Sequence, residues 1–290
     1  MTTINVPELI KAGVHFGHRT SRWNPKMAPY IFKKRNLIHI IDLKHTVRGL
    51  LWARRVAAAI AAQGHYVLFA GTKRQARPVV LREAQRCAMP CVTERWPGGL
   101  LTNYATIRRR LQRLEELEEM ERSGAIELYS KKMLSSLRRE RRKIERNLGG
   151  VRNMDRLPGL LVVVDPKREQ IAVREAVKLR IPTIAWIDTD GDPQGVNIVV
   201  PANDDAIGSI EIFVRMLADA VLEGRQQAMV GQPEAAKAAG AKEQISPEPQ
   251  PLAEPSGPRE RLEAEAGERP ETAGTTPPAT PEPEEDSSDM

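Results

Sequence analysis

Three short runs in this chain combine residue types that could do chemistry. The first is Arg22-Trp23-Asn24-Pro25-Lys26, with Arg19 just before it. It sets cations, an indole and an amide on one loop. Cations suit phosphate, an aromatic face suits a stacked base, and an amide suits base edges or a 2′-hydroxyl. The same run also fits a plainer arrangement, with Trp23 packed into the domain and only the charges outside. Lys33, Lys34 and Arg35 continue the positive stretch, and residues 1–55 hold eleven Lys/Arg against two acids, Glu8 and Asp42.

The second run is Gly71-Thr72-Lys73-Arg74, directly after an apolar segment. Its spacing is not that of a nucleotide loop, because G-x-x-x-x-G-K-[ST] and G-x-G-x-x-G are both absent. A helix N-terminus carrying Lys73 and Arg74 can still hold a phosphate, and an RNA phosphate serves as well as a nucleotide.

The third run is Asp188-Thr189-Asp190-Gly191-Asp192. It begins like a calcium loop, but the terminal glutamate of that loop would fall at 199, which is Val. Asp188 ends a predicted strand, and Asp204 and Asp205 open a predicted helix at the same edge of the sheet. His18 could approach from the arm, giving one nitrogen and several oxygens, a set that suits zinc or magnesium. The plainer alternative is helix capping by Asp204 and a turn at Asp190. Cys87 and Cys91 are only two of the four ligands a structural zinc site needs, so buried thiols fit them better. No G-x-S-x-G elbow or nucleophile–base pair is present. The chain therefore reads as a non-enzyme that requires no cofactor.

The elements that must position these residues follow from periodicity. Continuous apolar runs at 66–70, 160–164, 183–187 and 197–200, with a weaker one at 91–93, predict strands buried on both faces, as in a parallel sheet. Helical patterns at 44–62, 74–88, 168–180 and 204–225 alternate with them, a doubly wound α/β pattern spanning 44–102 and 151–230. Residues 1–43 stand apart as a short helix at 6–12 and a basic extended arm, with β segments at 30–32 and 38–41.

The sheet is interrupted at 103–150. Arg95-Trp96-Pro97-Gly98-Gly99-Leu100-Leu101-Thr102-Asn103 leads into two helices turning at Ser123-Gly124. Ile107, Leu111, Leu114 and Leu117 form one apolar stripe, and Leu134, Leu137, Ile144 and Leu148 the other. Both are narrow, the seam of a two-helix coiled coil, with Arg141 where an apolar residue is expected. The hairpin should therefore bury little and protrude. Arg95, Trp96, Asn103, Arg108 and Arg109 at its entrance are candidate RNA contacts. Arg138, Arg139, Arg142 and Lys143 in its second helix are candidate contacts to RNA or protein. A solvated helix with acid–base pairs to Glu115–Glu121 is the alternative.

Charge separates body from tail. The chain of 290 residues has 44 Lys/Arg and 38 Asp/Glu, of which five and fourteen fall after residue 230, leaving residues 1–230 at +15. That favours an anionic partner such as nucleic acid. Residues 231–290 lack aromatics, hold eleven of the 22 prolines and carry −9, so a disordered tail is expected there, either solubilising or partner-binding. No apolar run approaches the roughly 18 residues of a membrane span. The two cysteines and the N-terminus, which lacks a signal-peptide core, fit a cytoplasmic protein.

The phrases themselves resemble a known family. Gly13-Val14-His15-Phe16-Gly17-His18, Trp23-Asn24-Pro25-Lys26-Met27, His39-Ile40-Ile41-Asp42-Leu43, Gly71-Thr72-Lys73-Arg74, Arg95-Trp96 with Gly98-Gly99, and Pro201-Ala202-Asn203-Asp204-Asp205-Ala206 run in the order of the bacterial family of small-subunit ribosomal protein two. The resemblance covers about residues 4–225. It implies a flavodoxin-like α/β domain with an inserted coiled-coil hairpin. It implies a structural, rRNA-binding place where the head of the small subunit meets its body, on the solvent side. It further implies contact with other small-subunit proteins and help in anchoring the mRNA-binding ribosomal protein built of OB repeats. It makes a metal near His18, Asp188, Asp204 and Asp205 conceivable. No membrane partner and no homo-oligomer are expected. The acidic tail lies outside the resemblance.

Overall fold

A computed structural model describes residues 4–240. The expected tail from 241 to 290 lies outside the described residues.

Five strands form a parallel sheet: β4 (Val67–Ala70), β5 (Cys91–Val92), β6 (Leu160–Val164), β7 (Thr183–Ile187) and β8 (Ile198–Pro201). Their spatial order is β5-β4-β6-β7-β8, with all four neighbouring pairs parallel. β4, β6 and β7 are buried along their whole length, which is why their sequences are continuous apolar runs rather than alternating ones.

Alternate residues still face opposite ways. Phe69, Val162, Val164 and Trp186 look into one core, against α2 (Leu43–Ala62), α3 (Arg77–Arg86) and α7 (Ile207–Gly240). Leu68, Leu161, Val163 and Ala185 look into a second, against α6 (Gln170–Leu179) and the base of the inserted helices. Trp186 stacks on Phe213 of α7 with centroids 4.6 Å apart, and its Nε1–H donates to the Asn203 carbonyl at 2.8 Å.

The insertion consists of α4 (Tyr104–Arg122), a short 3-10 turn (Ala125–Leu128) and α5 (Lys131–Leu148). Both apolar stripes meet, as their spacing predicts. The expectation of little burial needs correction at the base. Ile107, Leu111 and Leu148 belong to the second core of the sheet, and only Leu117, Ile126 and Leu137 form a separate small cluster further out. The exit is tight: a Cβ on Gly150 would stand 2.2 Å from the Cys91 carbonyl oxygen, so only glycine lets the chain pass β5 there.

The N-terminal arm follows α1 (Val6–Lys11). It is a three-stranded antiparallel sheet of β1 (Phe16–Arg19), β2 (Ile31–Arg35) and β3 (Ile38–Ile41), in the order β1-β3-β2. The sequence reading contains β2 and β3 but not β1, which carries a glycine and no apolar run. Its strand character comes from pairing with β3 and from docking on the main domain. At the other end, α7 continues to Gly240, ten residues into the segment expected to be tail. The alanine-rich stretch at 235–239 has the intrinsic preference for it.

Candidate functional site

The carboxyl edge of the parallel sheet gathers the acids. Asp165 follows β6, Asp188 and Asp190 follow β7, and Asp204 and Asp205 precede α7. β1 lays His18 across them. Its Nδ1 is 2.8 Å from Asp188 Oδ2 and 3.7 Å from Asp190 Oδ1, and its Nε2 is 3.4 Å from Asp205 Oδ2. The His18 backbone N–H donates to Thr189 Oγ1 at 2.9 Å and to Asp188 Oδ1 at 3.2 Å. Gly17 permits this approach, since a Cβ there would stand 2.6 Å from the Thr189 methyl. The Asp188 carboxylate accepts from His18 and, with Asp190 and Asp204, raises the imidazole pKa to about 9 despite partial burial.

Lys73 faces into this cluster. The sequence reading offers it to RNA phosphate, but its Nζ is 2.7 Å from Asp204 Oδ1, 2.6 Å from Asp205 Oδ1 and 3.6 Å from Asp165 Oδ2. Burial works against its charge, and the facing carboxylates outweigh that and raise its pKa. Burial, together with Asp165 and Asp188, pushes the Asp204 carboxyl up to about 7 even with Lys73 beside it. One atom each of His18, Asp188 and Asp204 lie within 4.8 Å of one another, so these three could hold a metal ion. Asp205 joins them through His18 and Lys73.

The crevice between the ends of β4 and β6 is where the strand order reverses, the usual ligand site of doubly wound sheets. Here the protein fills it. The Thr72 N–H donates to Glu169 Oε1 at 3.0 Å, the Thr72 hydroxyl donates to the same oxygen, and Arg168 Nε donates to the Thr72 hydroxyl at 3.0 Å. Glu169 is buried. The backbone N–H that would cradle a phosphate is thus occupied by a carboxylate.

A second buried acid organises the loop into the hairpin. Glu175 of α6 accepts from the Gly99 N–H at 2.7 Å, the Leu101 N–H at 2.9 Å, the Thr102 N–H at 3.2 Å, the Thr102 hydroxyl and Trp96 Nε1 at 3.3 Å. Burial opposes its charge, yet these donors lower its pKa. Trp96 is therefore a core residue, 5% exposed with its N–H used inside, and not a platform for RNA. The sequence reading misses Glu175. Its position beside Ala172, Val173 and Ala176 on the apolar face of α6 is the signal that marks it.

The remaining candidates divide into free and engaged cations. Arg19, Arg22, Lys33, Lys34 and Arg35 of the arm are exposed and form no ion pair among the described residues, as are Arg74 and Arg95. Lys26 is tied to Asp192 at 3.0 Å, and Asn24 caps the following turn by accepting from the Lys26 N–H. Trp23 settles between the two arrangements offered for it: 38% exposed, with its ring 5.3 Å from the His39 ring. Asn103 is exposed at the start of α4, Arg109 is exposed, and Arg108 lies 3.4 Å from the Met154 carbonyl. On α5, Arg138 lies 3.7 Å from Glu121 and Arg142 donates to the Arg138 carbonyl. Arg139 and Lys143 are exposed without an ion pair among the described residues.

A doubly wound α/β protein with its usual ligand crevice closed, an acidic edge that holds an arm, and unpaired cations on that arm is built for binding rather than turnover. A family model described as ribosomal protein S2 matches residues 9–224. A relative in Rhodopirellula baltica, "Small ribosomal subunit protein uS2", is 57% identical over 222 residues, covering 77% of this chain and 85% of that protein. The chain belongs to the ribosomal protein S2 family, and is a structural, non-enzymatic ribosomal protein.

Proposed function

We propose that this protein is a constituent of the small ribosomal subunit that binds its rRNA chiefly through the N-terminal arm. The observation that carries this is the contrast in charge: five exposed cations of the arm meet no carboxylate among the described residues, while the arm is pinned to the domain through His18. Its place is the cytoplasmic ribosome, on the solvent side where head meets body, beside other small-subunit proteins. There it helps anchor the mRNA-binding ribosomal protein of OB repeats. The strand order supports a flavodoxin-like domain, and the paired stripes of α4 and α5 support an inserted coiled coil. The exposed cations of α5 offer contacts to RNA or protein.

The acidic edge suits a structural divalent cation, zinc or magnesium, held by His18, Asp188 and Asp204 with Asp205 near. The crowding that lifts the Asp204 carboxyl is what such a charge relieves. Lys73 already supplies one positive charge to Asp204 and Asp205, and a bound cation competes with it.

The test of the rRNA reading is salt dependence. A triple Lys33→Gln, Lys34→Gln, Arg35→Gln chain should bind small-subunit rRNA more weakly, and the slope of log affinity against log salt should fall by about 2. An unchanged slope and affinity would remove the arm from the interface.

A further inference from the structure

α2 has one face that the domain uses and one that it leaves open. The inner face is built from small residues, Gly49, Ala53, Ala57 and Ala61, all buried. Glycines set how closely its neighbours lie: a Cβ on Gly224 of α7 would stand 2.2 Å from the Ala58 carbonyl oxygen, and a Cβ on Gly49 would stand 2.7 Å from the Val199 carbonyl oxygen of β8. The outer face is Lys44, Arg48, Leu51, Trp52, Arg55 and Ala59, all exposed and spaced to form one stripe about 22 Å long.

That stripe is chemically distinctive. Trp52 is 57% exposed, and Leu51 beside it 45%. Arg48 lies one turn before Trp52 and Arg55 one turn after it. Lys44, Arg48 and Arg55 form no ion pair among the described residues, and the stripe contains no acid. Other cations behave otherwise: Arg54, on the flank of the same helix, is held by Glu223 at 2.6 Å, and Arg82 of α3 by Glu211 at 2.6 Å. Leu51 and Trp52 together leave a contiguous apolar patch open to solvent. Bracketed by unpaired guanidinium groups, it has the make-up of a stacking platform for single-stranded nucleic acid. The stripe begins where the basic arm ends, since the Asp42 N–H that precedes α2 donates to the Tyr30 carbonyl of the arm at 2.9 Å.

We propose that the outer face of α2 is a second RNA-binding surface, on which an unpaired nucleotide stacks on Trp52 while Arg48 and Arg55 hold the flanking phosphates. This rests on the rRNA-binding reading above and extends it to a face with no part in it. The occupant is RNA rather than an apolar protein surface because uncompensated positive charge surrounds the indole on both sides.

The test uses the full chain and small subunits lacking it. Trp52→Ala should weaken incorporation at least about fivefold, with Trp52→Phe restoring most of it. Arg48→Gln with Arg55→Gln should lower the salt slope by between about one and two. Ultraviolet cross-linking of assembled subunits should join Trp52 to an rRNA nucleotide. Because all three side chains are exposed, the variants should keep the wild-type melting temperature, which separates lost contact from lost folding. A Trp52 cross-link to a ribosomal protein overturns the proposal, as does unchanged incorporation of both variants. If the arm triple variant binds weakly while the α2 variants bind normally, the α2 surface alone falls. If the arm variant also binds normally, the rRNA-binding reading falls with it.

Discussion

At the carboxyl edge of the sheet the charges answer one another at short range. Lys73 sits 2.7 Å from Asp204, His18 2.8 Å from Asp188, and Lys167 2.8 Å from Asp190. On the same arm as His18, the cations of Lys33, Lys34 and Arg35 meet no acid among the described residues. In a doubly wound protein the first region is where a ligand would be expected. Here it works as the clamp for the second. The difference separates two uses of charge: neutralised and partly buried charge fixes geometry, and unneutralised exposed charge is left for a partner.

Removing a buried anchor should then cost folding and not charge-driven binding. The largest effect is expected at Glu175. Glu175→Ala leaves the N–H groups of Gly99, Leu101 and Thr102 without their acceptor, so stability to urea should fall by about 3–5 kcal/mol. The pH dependence has a defined sign. The folded-state pKa of Glu175 lies below the ordinary 4.5, so its contribution is full above that value and is lost as pH falls through the lowered one. The stability gap between wild type and Glu175→Gln should be constant above about pH 5 and close in acid. A gap that widened in acid would contradict the anchoring role.

Asp188→Ala comes next. It removes one of the two acceptors of the His18 backbone N–H and the partner of its imidazole, at a cost of about 2–3 kcal/mol in urea unfolding. Limited proteolysis should open sites between Arg19 and Lys34 that the wild type protects. The arm triple variant should do the reverse, losing rRNA affinity with stability within about 0.5 kcal/mol of wild type. If Asp188→Ala left both stability and protection unchanged, the edge would not be the clamp.

What the sequence shows plainly is whatever local periodicity encodes. Leu160–Val164 and Thr183–Ile187 are continuous apolar runs because both faces of the sheet are covered. The stripes of α4 and α5 are visible because each helix has one buried side, against the sheet at the base and against the other helix further out. The acidic edge is legible as well, since its members stand at strand ends and helix starts, within reach of His18 on the arm. What escaped depends on partners far apart in the chain. Lys73 reads as a surface cation until Asp204, 131 residues away, is seen to face it. Trp96 reads as a stacking residue until Glu175, 79 residues away, takes its N–H. β1 has no strand signal of its own and exists because β3 and the edge hold it.

The smallest effect sharpens the comparison inside the hairpin, where both uses of charge sit on one helix. Arg139 and Lys143 point out unpaired, whereas Arg141 occupies the seam between Leu137 and Ile144. Its Nε is buried 3.2 Å from Glu121 Oε2, without the alignment needed to donate to it. The Arg141 side chain is only half-buried, with Glu145 Oε2 4.0 Å from its guanidinium, and a seam cation whose Nε goes unsatisfied offers little net stability, so an apolar residue of similar reach often does better. Arg141→Leu should therefore raise the urea midpoint, by about 1 kcal/mol in stability, because Glu121 keeps Arg138 at 3.7 Å and remains partly open to water. Arg141→Ala is the control, since it removes the charge but leaves the seam unfilled, and should show no gain. If Arg141→Leu instead lowered stability by a similar amount, the Glu121–Arg141 pair would be an anchor in its own right. The division between clamping and partner-facing charge would then run through α5 itself rather than between the sheet edge and the arm.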